Sequence, residues 1–217
     1  MLLAPRAKDP ADLSYYALRK AVGGIALGLP FAVAIPWFIC RHTLEDSISY
    51  YYYTGMRNLF EGSLCAVAVF QLCCRGYEGY DVAAGILSGL FALGVAFCPT
   101  TPEPADSATQ FQRYVGNLHY FFAALLFFTL AYFCLVLFTK STPGGIMTPK
   151  KRQRNVVYKI CGSVIILSII LILIFVRGFK MMYLPGGLGT VFFFETTSLL
   201  AFGVAWLIKG ETLLKDS

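Results

Sequence analysis

Six stretches of mainly apolar residues, each about 20 residues long, alternate along the chain with short polar segments. A helix of about 20 apolar residues crosses roughly 30 Å of hydrocarbon. Stretches of this length favour helices, which satisfy their own backbone polar groups inside lipid. The pattern therefore predicts an all-α bundle of six transmembrane helices, in one domain covering residues 1–217. The predicted spans are 21–40, 58–74, 82–98, 115–138, 156–176 and 191–208.

The composition agrees with a membrane protein. Of the 217 residues, 57% are hydrophobic and 14% are charged, against roughly half and a quarter in soluble domains. The formal charge of +6 lies in short clusters beside apolar stretches, which indicates contact with lipid headgroups and not with nucleic acid. We expect membrane lipids as partners. Whether the chain also forms a homo-oligomer or binds a membrane partner protein stays open.

The basic residues predict an orientation. Of the 18 Lys and Arg residues, 13 lie in the terminal segments and around the loops after spans two and four. The other 5 lie on the alternate side. Because short basic loops stay in the cytoplasm, we expect a multi-pass protein of the plasma (inner) membrane with both termini cytoplasmic. The same rule explains the basic residues at 150–154, so no specific site for anionic lipid is needed there.

Three ionisable residues lie inside spans, near the side expected to be non-cytoplasmic. Glu61 lies about one turn into span two, Glu195 about one turn into span six, and His119 near the start of span four. Such groups are costly in hydrocarbon, so each is a functional candidate. In a closed bundle they would line one outward-facing polar cavity. A catalytic version would use His119 as acid or base and Glu61 or Glu195 as its carboxylate partner.

Further polar residues lie at the rim of this predicted cavity. Arg57 and Asn58 precede Glu61 by four and three positions, so they share its helical face. The predicted ligand-binding residues are Arg57, Asn58, Ser49, Thr54 and Asn117.

Each of these residues also has a structural interpretation. Glu61 would pair with Arg57, Glu195 would meet a helix-terminal donor, and His119 would make an interfacial hydrogen bond. Polar groups of this kind join membrane helices. His119 with the two glutamates could bind zinc, but no HExxH or HxxxH spacing occurs, so we predict no metal and no other cofactor.

Small residues and cysteines add two expectations. Gly24 with Gly28, and Gly85 with Gly89, recur four positions apart, which lets helices approach closely and predicts central positions for spans one and three. The unbroken aliphatic span five would face lipid. Cys40 and the cysteine at position 98 are expected on the same side, and the sequence leaves open whether they form a disulfide.

Two segments carry a family resemblance. The run ALGVAFCPTTP (92–102) and the run GNLHYFFAALLFF (116–128) resemble the uncharacterised six-helix membrane family called domain of unknown function 998. That family is similar in layout to the Frag/DRAM-like superfamily, although the Ser-Asp-Thr-Gly motif of the DRAM branch is missing here. The resemblance implies a six-helix bundle with polar residues in its non-cytoplasmic half, and it carries over His119. In some eukaryotic relatives it implies lipid-anchor remodelling.

The sequence thus predicts a membrane protein that binds or processes a lipid or other amphiphile through an outward-facing polar cavity. The alternative is a transporter or channel subunit, or a non-enzymatic membrane scaffold, in which the same carboxylates carry protons, ions or helix contacts. The pattern does not decide whether the protein is an enzyme.

Overall fold

The computed structural model describes residues 10–73, 79–141 and 147–210, without the side chains of residues 10–15 and 177. Within these ranges the chain is helical and contains no β-strand. The six α-helices are α1 (Pro10–Arg41), α2 (Arg57–Cys73), α3 (Gly79–Phe97), α4 (Gln110–Tyr132), α5 (Pro149–Ile172) and α6 (Thr190–Lys209).

Five of these helices are long and apolar enough to cross a bilayer: α1, α3, α4, α5 and α6. This confirms an all-α, multi-pass arrangement. The described part of α2 has 17 residues, about 25 Å at 1.5 Å per residue, which is short of the hydrocarbon thickness. The predicted second span ends at residue 74, outside the described residues. A sixth crossing therefore stays a prediction.

Several helices begin before the predicted apolar spans, because capped polar turns precede the apolar residues. Thr148 accepts a hydrogen bond from the Lys151 N–H, and Pro149 occupies the first turn of α5, where a missing N–H costs nothing. Thr109 and Gln112 form a reciprocal capping box at the start of α4. Such caps satisfy the N–H groups that every helix start leaves without a partner.

The helices form a closed ring in chain order. Each packs on the next, and α6 returns to pack on α1. Of the most apolar 18-residue windows, that of α5 is 22% buried and that of α6 is 50% buried. The apolar window of α5 is therefore the least buried of the five, and its contact with lipid stays a prediction. Among these five helices the apolar window of α6 is the most buried, whereas the small-residue pattern favoured spans one and three.

The close helix contacts explain this difference. An added Cβ at Gly203 of α6 would lie 2.9 Å from the carbonyl oxygen of Gly23. Gly24 and Gly28 are exposed, with open space around them. The contact face of α1 therefore runs through Gly23, one position from the predicted pair. On α3 the prediction holds, because Gly89 packs against α2.

The two ends of the ring differ in chemistry. We call the end that holds segments 42–56, 98–109 and 179–189 the tyrosine end. Its segments contact one another, since the Glu103 N–H donates to the Tyr50 hydroxyl over 2.7 Å and the Tyr183 hydroxyl donates to Asp46 over 2.9 Å. The opposite end, which we call the basic end, holds the start of α3 and the end of α6. The residues predicted to be functional lie toward the tyrosine end.

Candidate functional site

Glu195 is a buried carboxylate near the start of α6, with 9% of the residue exposed. Its Oε2 accepts a hydrogen bond of 2.7 Å from the Ile48 N–H. The backbone and hydroxyl of Ser49 lie close to the same carboxylate. Ile48 is the N-cap of the short 3-10 helix Ser49–Tyr53, so Glu195 satisfies an N–H group at the start of that helix. The carboxylate thus fastens the loop after α1 to α6.

Beside this carboxylate lies a cavity of about 40 Å³, enclosed by α1, α2, α3, α4, α6 and the loop after α1. Its size admits water molecules but is far below the roughly 300–1,000 Å³ of ligand pockets. Glu195 and Ser49 are polar members of an otherwise apolar lining. The lining residues are Leu29, Ile48, Ser49, Phe60, Leu64, Val95, Ala123, Leu126, Phe127, Glu195 and Leu199.

His119 lies elsewhere, between α4 and the end of α3. It is 2% exposed, and its Nδ1 is 2.6 Å from the carbonyl oxygen of Cys98. The ring also lies close to the backbone of Val95. His119 does not line the cavity. Its contacts are those of a side chain that joins two helices.

Arg57 and Glu61 form a third group, on the surface of α2. Arg57 Nε donates to Glu61 Oε1 over 2.8 Å, and the guanidinium donates to the Tyr52 hydroxyl over 2.6 Å while lying over that ring. Glu61 does not line the cavity. The structure therefore brings Glu195 together with Ser49 but keeps His119 and Glu61 apart from them.

The remaining predicted ligand-binding residues also lie outside the cavity. Asn58 and Asn117 are exposed. Thr54 Oγ1 donates to the Tyr51 carbonyl over 2.8 Å and accepts from the Met56 N–H over 3.1 Å. Thr54 thus shapes the turn into α2.

Tyrosine side chains fasten the loops of the tyrosine end to one another. The Tyr53 hydroxyl donates to the Thr100 carbonyl, and the Tyr50 hydroxyl accepts from the Glu103 N–H over 2.7 Å. The Tyr183 hydroxyl donates to Asp46 over 2.9 Å. The tyrosine-rich composition signals an interface in the sequence, but it does not show which loops the tyrosines join.

Several groups in this region have shifted pKa values, among them Glu45 and Tyr50. Burial raises the pKa of the Glu45 carboxyl above its ordinary value, and the charges of Asp46 and Glu103 raise that pKa further. Burial also raises the pKa of Tyr50 to about 12. The Tyr50 hydroxyl therefore stays protonated at neutral pH.

No group of three or more His, Cys, Asp and Glu side chains is placed to hold a metal ion in residues 10–73, 79–141 and 147–210. Cys40 and Cys98, whose pairing the sequence left open, are free thiols.

Comparison of the chain with protein-family models, with curated proteins and with solved structures gives no match to any of them.

Proposed function

We propose that this multi-pass membrane protein binds a lipid or other amphiphile at its tyrosine end, with Glu195 contacting the polar part of the ligand. One observation carries the proposal: a buried carboxylate opens onto a cavity whose other walls are almost entirely apolar. A carboxylate accepts hydrogen bonds from hydroxyl or ammonium groups. Apolar walls suit a hydrocarbon chain. The ligand class is therefore an amphiphile that carries a hydroxyl or an ammonium group.

The volume of the cavity adds a condition. At about 40 Å³ it is too small for an acyl chain. Binding therefore includes a displacement of the Ser49–Tyr53 turn, which covers the carboxylate. The ligand's donor would take the place of the Ile48 N–H on Glu195.

We propose that the site beside Glu195 binds an amphiphile and does not catalyse a reaction. The catalytic version requires His119 close to a carboxylate, but His119 bonds to the Cys98 carbonyl and does not line the cavity. Glu61 bonds to Arg57 on the surface of α2.

A second candidate is a non-enzymatic scaffold. It is favoured by the observation that Glu195 and His119 both bond to backbone groups of other segments. In a scaffold these bonds hold helices and loops together, and the cavity takes up no amphiphile.

A photolabelling experiment separates the two candidates. The purified protein is irradiated with a photoreactive, clickable sphingosine, which carries hydroxyl and ammonium groups, or with a photoreactive alkane that carries neither. Ala123→Leu fills the cavity, whereas Ala124→Leu adds the same atoms at an exposed neighbouring position. Sphingosine labelling is expected in the wild type and in Ala124→Leu, and it should be lost in Ala123→Leu. Glu195→Gln should weaken labelling by sphingosine more than labelling by the alkane.

The scaffold predicts a different result. Sphingosine labelling would then be equal in all four proteins, although Glu195→Gln would still lower the melting temperature. Equal labelling contradicts the proposed function. Melting curves of each variant confirm that the compared proteins are folded.

A further inference from the structure

The loop that leads into α6 differs from the other two segments of the tyrosine end. Residues 179–189, which we call the apolar loop, contain no acidic residue and one basic residue, Lys180, whereas the segments 42–56 and 98–109 contain two acidic residues each. Three residues of the apolar loop are largely exposed, Phe179 at 72%, Tyr183 at 52% and Met182 at 41%. Exposed apolar side chains that lie together mark a surface for a membrane or for another protein. The apolar loop therefore presents a surface that requires a partner.

A row of aromatic rings joins the apolar loop to the spans on either side of it. Phe179 packs on Phe175, with ring centres 6.4 Å apart, and Phe175 stacks on Phe194 at 6.1 Å. Phe194 contacts Phe193 at 5.2 Å. The two ends of the row, Phe179 and Phe193, are exposed. Because the other three rings belong to helical segments that are apolar enough to cross a bilayer, Phe179 extends an aromatic surface that begins on the spans.

Hydrogen bonds within the apolar loop satisfy several of its backbone groups. Its two arms meet where the Leu184 N–H donates to the Leu188 carbonyl over 2.8 Å and the Thr190 N–H donates to the Met182 carbonyl over 2.8 Å. The Gly187 N–H donates to the Leu184 carbonyl over 3.0 Å, and Gly187 has a φ of 83°, which glycine adopts without strain. Backbone groups near hydrocarbon need partners in the protein, because little water reaches them. These bonds therefore suit a loop that lies at the edge of a bilayer.

One side of the apolar loop is fixed to the loop after α1. The Tyr183 hydroxyl donates to Asp46 over 2.9 Å. An added Cβ at Gly189 would lie 2.6 Å from the Asp46 carbonyl oxygen, so the two backbones are in close contact. These contacts hold the apolar loop on the ring and leave Phe179 and Met182 on its exposed side.

We propose that the apolar loop rests on the bilayer, with Phe179 and Met182 in contact with the acyl chains next to the headgroups. The helices α5 and α6 are both long and apolar enough to cross a bilayer, so the loop that joins them lies where they leave the hydrocarbon. Aromatic side chains favour this boundary, and a lysine such as Lys180 extends its amine to the headgroups while its stem stays in apolar surroundings. The aromatic row that continues onto the spans favours the lipid surface over a second protein as the partner.

Tryptophan fluorescence in lipid nanodiscs tests this contact, which is independent of Glu195 and of the proposed function. Phe179→Trp and Met182→Trp each place an indole on the apolar loop, and the control Asp106→Trp places one at an exposed position in the segment 98–109. The wild type gives the background of its two native tryptophans. Each nanodisc holds one protein molecule and leaves both faces of the bilayer open to water. One set of nanodiscs contains phosphatidylcholine brominated near the ester end of its acyl chains, and acrylamide is added to the water around an unbrominated set.

The two quenchers report different surroundings, because bromine quenches at short range within the lipid and acrylamide quenches from the water. Brominated lipid should remove most of the added fluorescence of Phe179→Trp and Met182→Trp, and little of that of Asp106→Trp. Acrylamide should give the opposite order. Melting temperatures close to that of the wild type show that the variants are folded, and Met182→Trp carries the test if Phe179→Trp does not fold.

Three results would overturn the proposal. Acrylamide quenching of Phe179→Trp as strong as that of Asp106→Trp would place the apolar loop in water. Equal quenching of these two variants by brominated lipid would show that the apolar loop is no closer to lipid than the segment 98–109. Protection of Phe179→Trp and Met182→Trp from both quenchers would show that protein, and not lipid, covers the apolar loop.

Discussion

At the scale of single residues, Glu195 shows how a buried charge is accommodated. Removing a carboxylate from water is costly unless hydrogen bonds replace the lost hydration. The Ile48 N–H supplies such a bond, and Ser49 lies close to the same carboxylate. The same two residues line the cavity, so the group that fastens the loop is also the group proposed to meet a ligand.

Glu195→Gln should lower the free energy of unfolding by about 1–3 kcal/mol. The amide keeps the size of the side chain, but its NH₂ group faces N–H donors and leaves a buried donor without an acceptor. Unfolding in mixed micelles measures the change. Glu61→Gln is the control, and because its ion pair is largely exposed, the loss there should stay below about 1 kcal/mol. Equal losses in both variants would argue against a special role for Glu195.

Glu45 gives a pH prediction. Its pKa is raised by burial in the folded protein, so its contribution to stability is fully present below the unfolded pKa and is lost as pH rises through the folded pKa. The loop after α1 should therefore open more easily with rising pH in this range. Amide hydrogen exchange of residues 47–53, compared at each pH between wild type and Glu45→Gln, measures this. A pH dependence that Glu45→Gln leaves unchanged would contradict the assignment.

At this scale the sequence identifies the unusual residues but not their partners. Glu195 and His119 stand out because they are ionisable within apolar stretches. Their partners are backbone groups of Ile48 and Cys98, which any residue type would supply and which lie far away in the chain.

At the scale of helices, apolar stretches locate the elements and polar caps set their starts. The beginnings of α4 and α5 could have been found from two sequence signals, the Thr109–Gln112 capping box and the Thr148–Pro149 pair. No sequence signal shows which face of α1 contacts α6. Gly23, Gly24 and Gly28 are equivalent in the sequence, and only the position of α6 distinguishes them.

The contact between α1 and α6 gives a prediction with a matched control. In Gly203→Ala the new Cβ would lie 2.6 Å from the Leu27 side chain and 2.9 Å from the Gly23 carbonyl. Such overpacking costs about 1–3 kcal/mol. Gly24→Ala meets open space and should be neutral, or stabilising by up to about 1 kcal/mol through helix propensity. Unfolding free energies in mixed micelles measure both. A loss in Gly24→Ala as large as that in Gly203→Ala would contradict the packing.

At the scale of the whole molecule, the ring has chemically different ends. The orientation predicted from Lys and Arg places the tyrosine end on the non-cytoplasmic side. The relationship to the domain of unknown function 998 likewise stays a prediction, based on the segments 92–102 and 116–128.

A cysteine at each end tests the orientation. Asp106 and Gln153 are exposed at the tyrosine end and the basic end, and each is replaced by cysteine after Cys40 and Cys73 are changed to serine. A membrane-impermeant maleimide added to intact cells should modify Asp106→Cys and should reach Gln153→Cys only after lysis. The reverse pattern would invert the topology, and modification of both in intact cells would contradict a membrane-spanning ring.

The central claim is that an amphiphile can reach the buried carboxylate of Glu195. The most direct measurement is carbodiimide labelling of the protein in membranes, followed by mass spectrometry of its peptides. An apolar carbodiimide partitions into the bilayer, whereas a charged one stays in water. We expect the apolar reagent to modify Glu195, more slowly in Ala123→Leu than in Ala124→Leu, and the charged reagent to modify Glu61 but not Glu195. An unmodified Glu195 with the apolar reagent, or equal modification of Glu195 and Glu61 by the charged one, would contradict the claim.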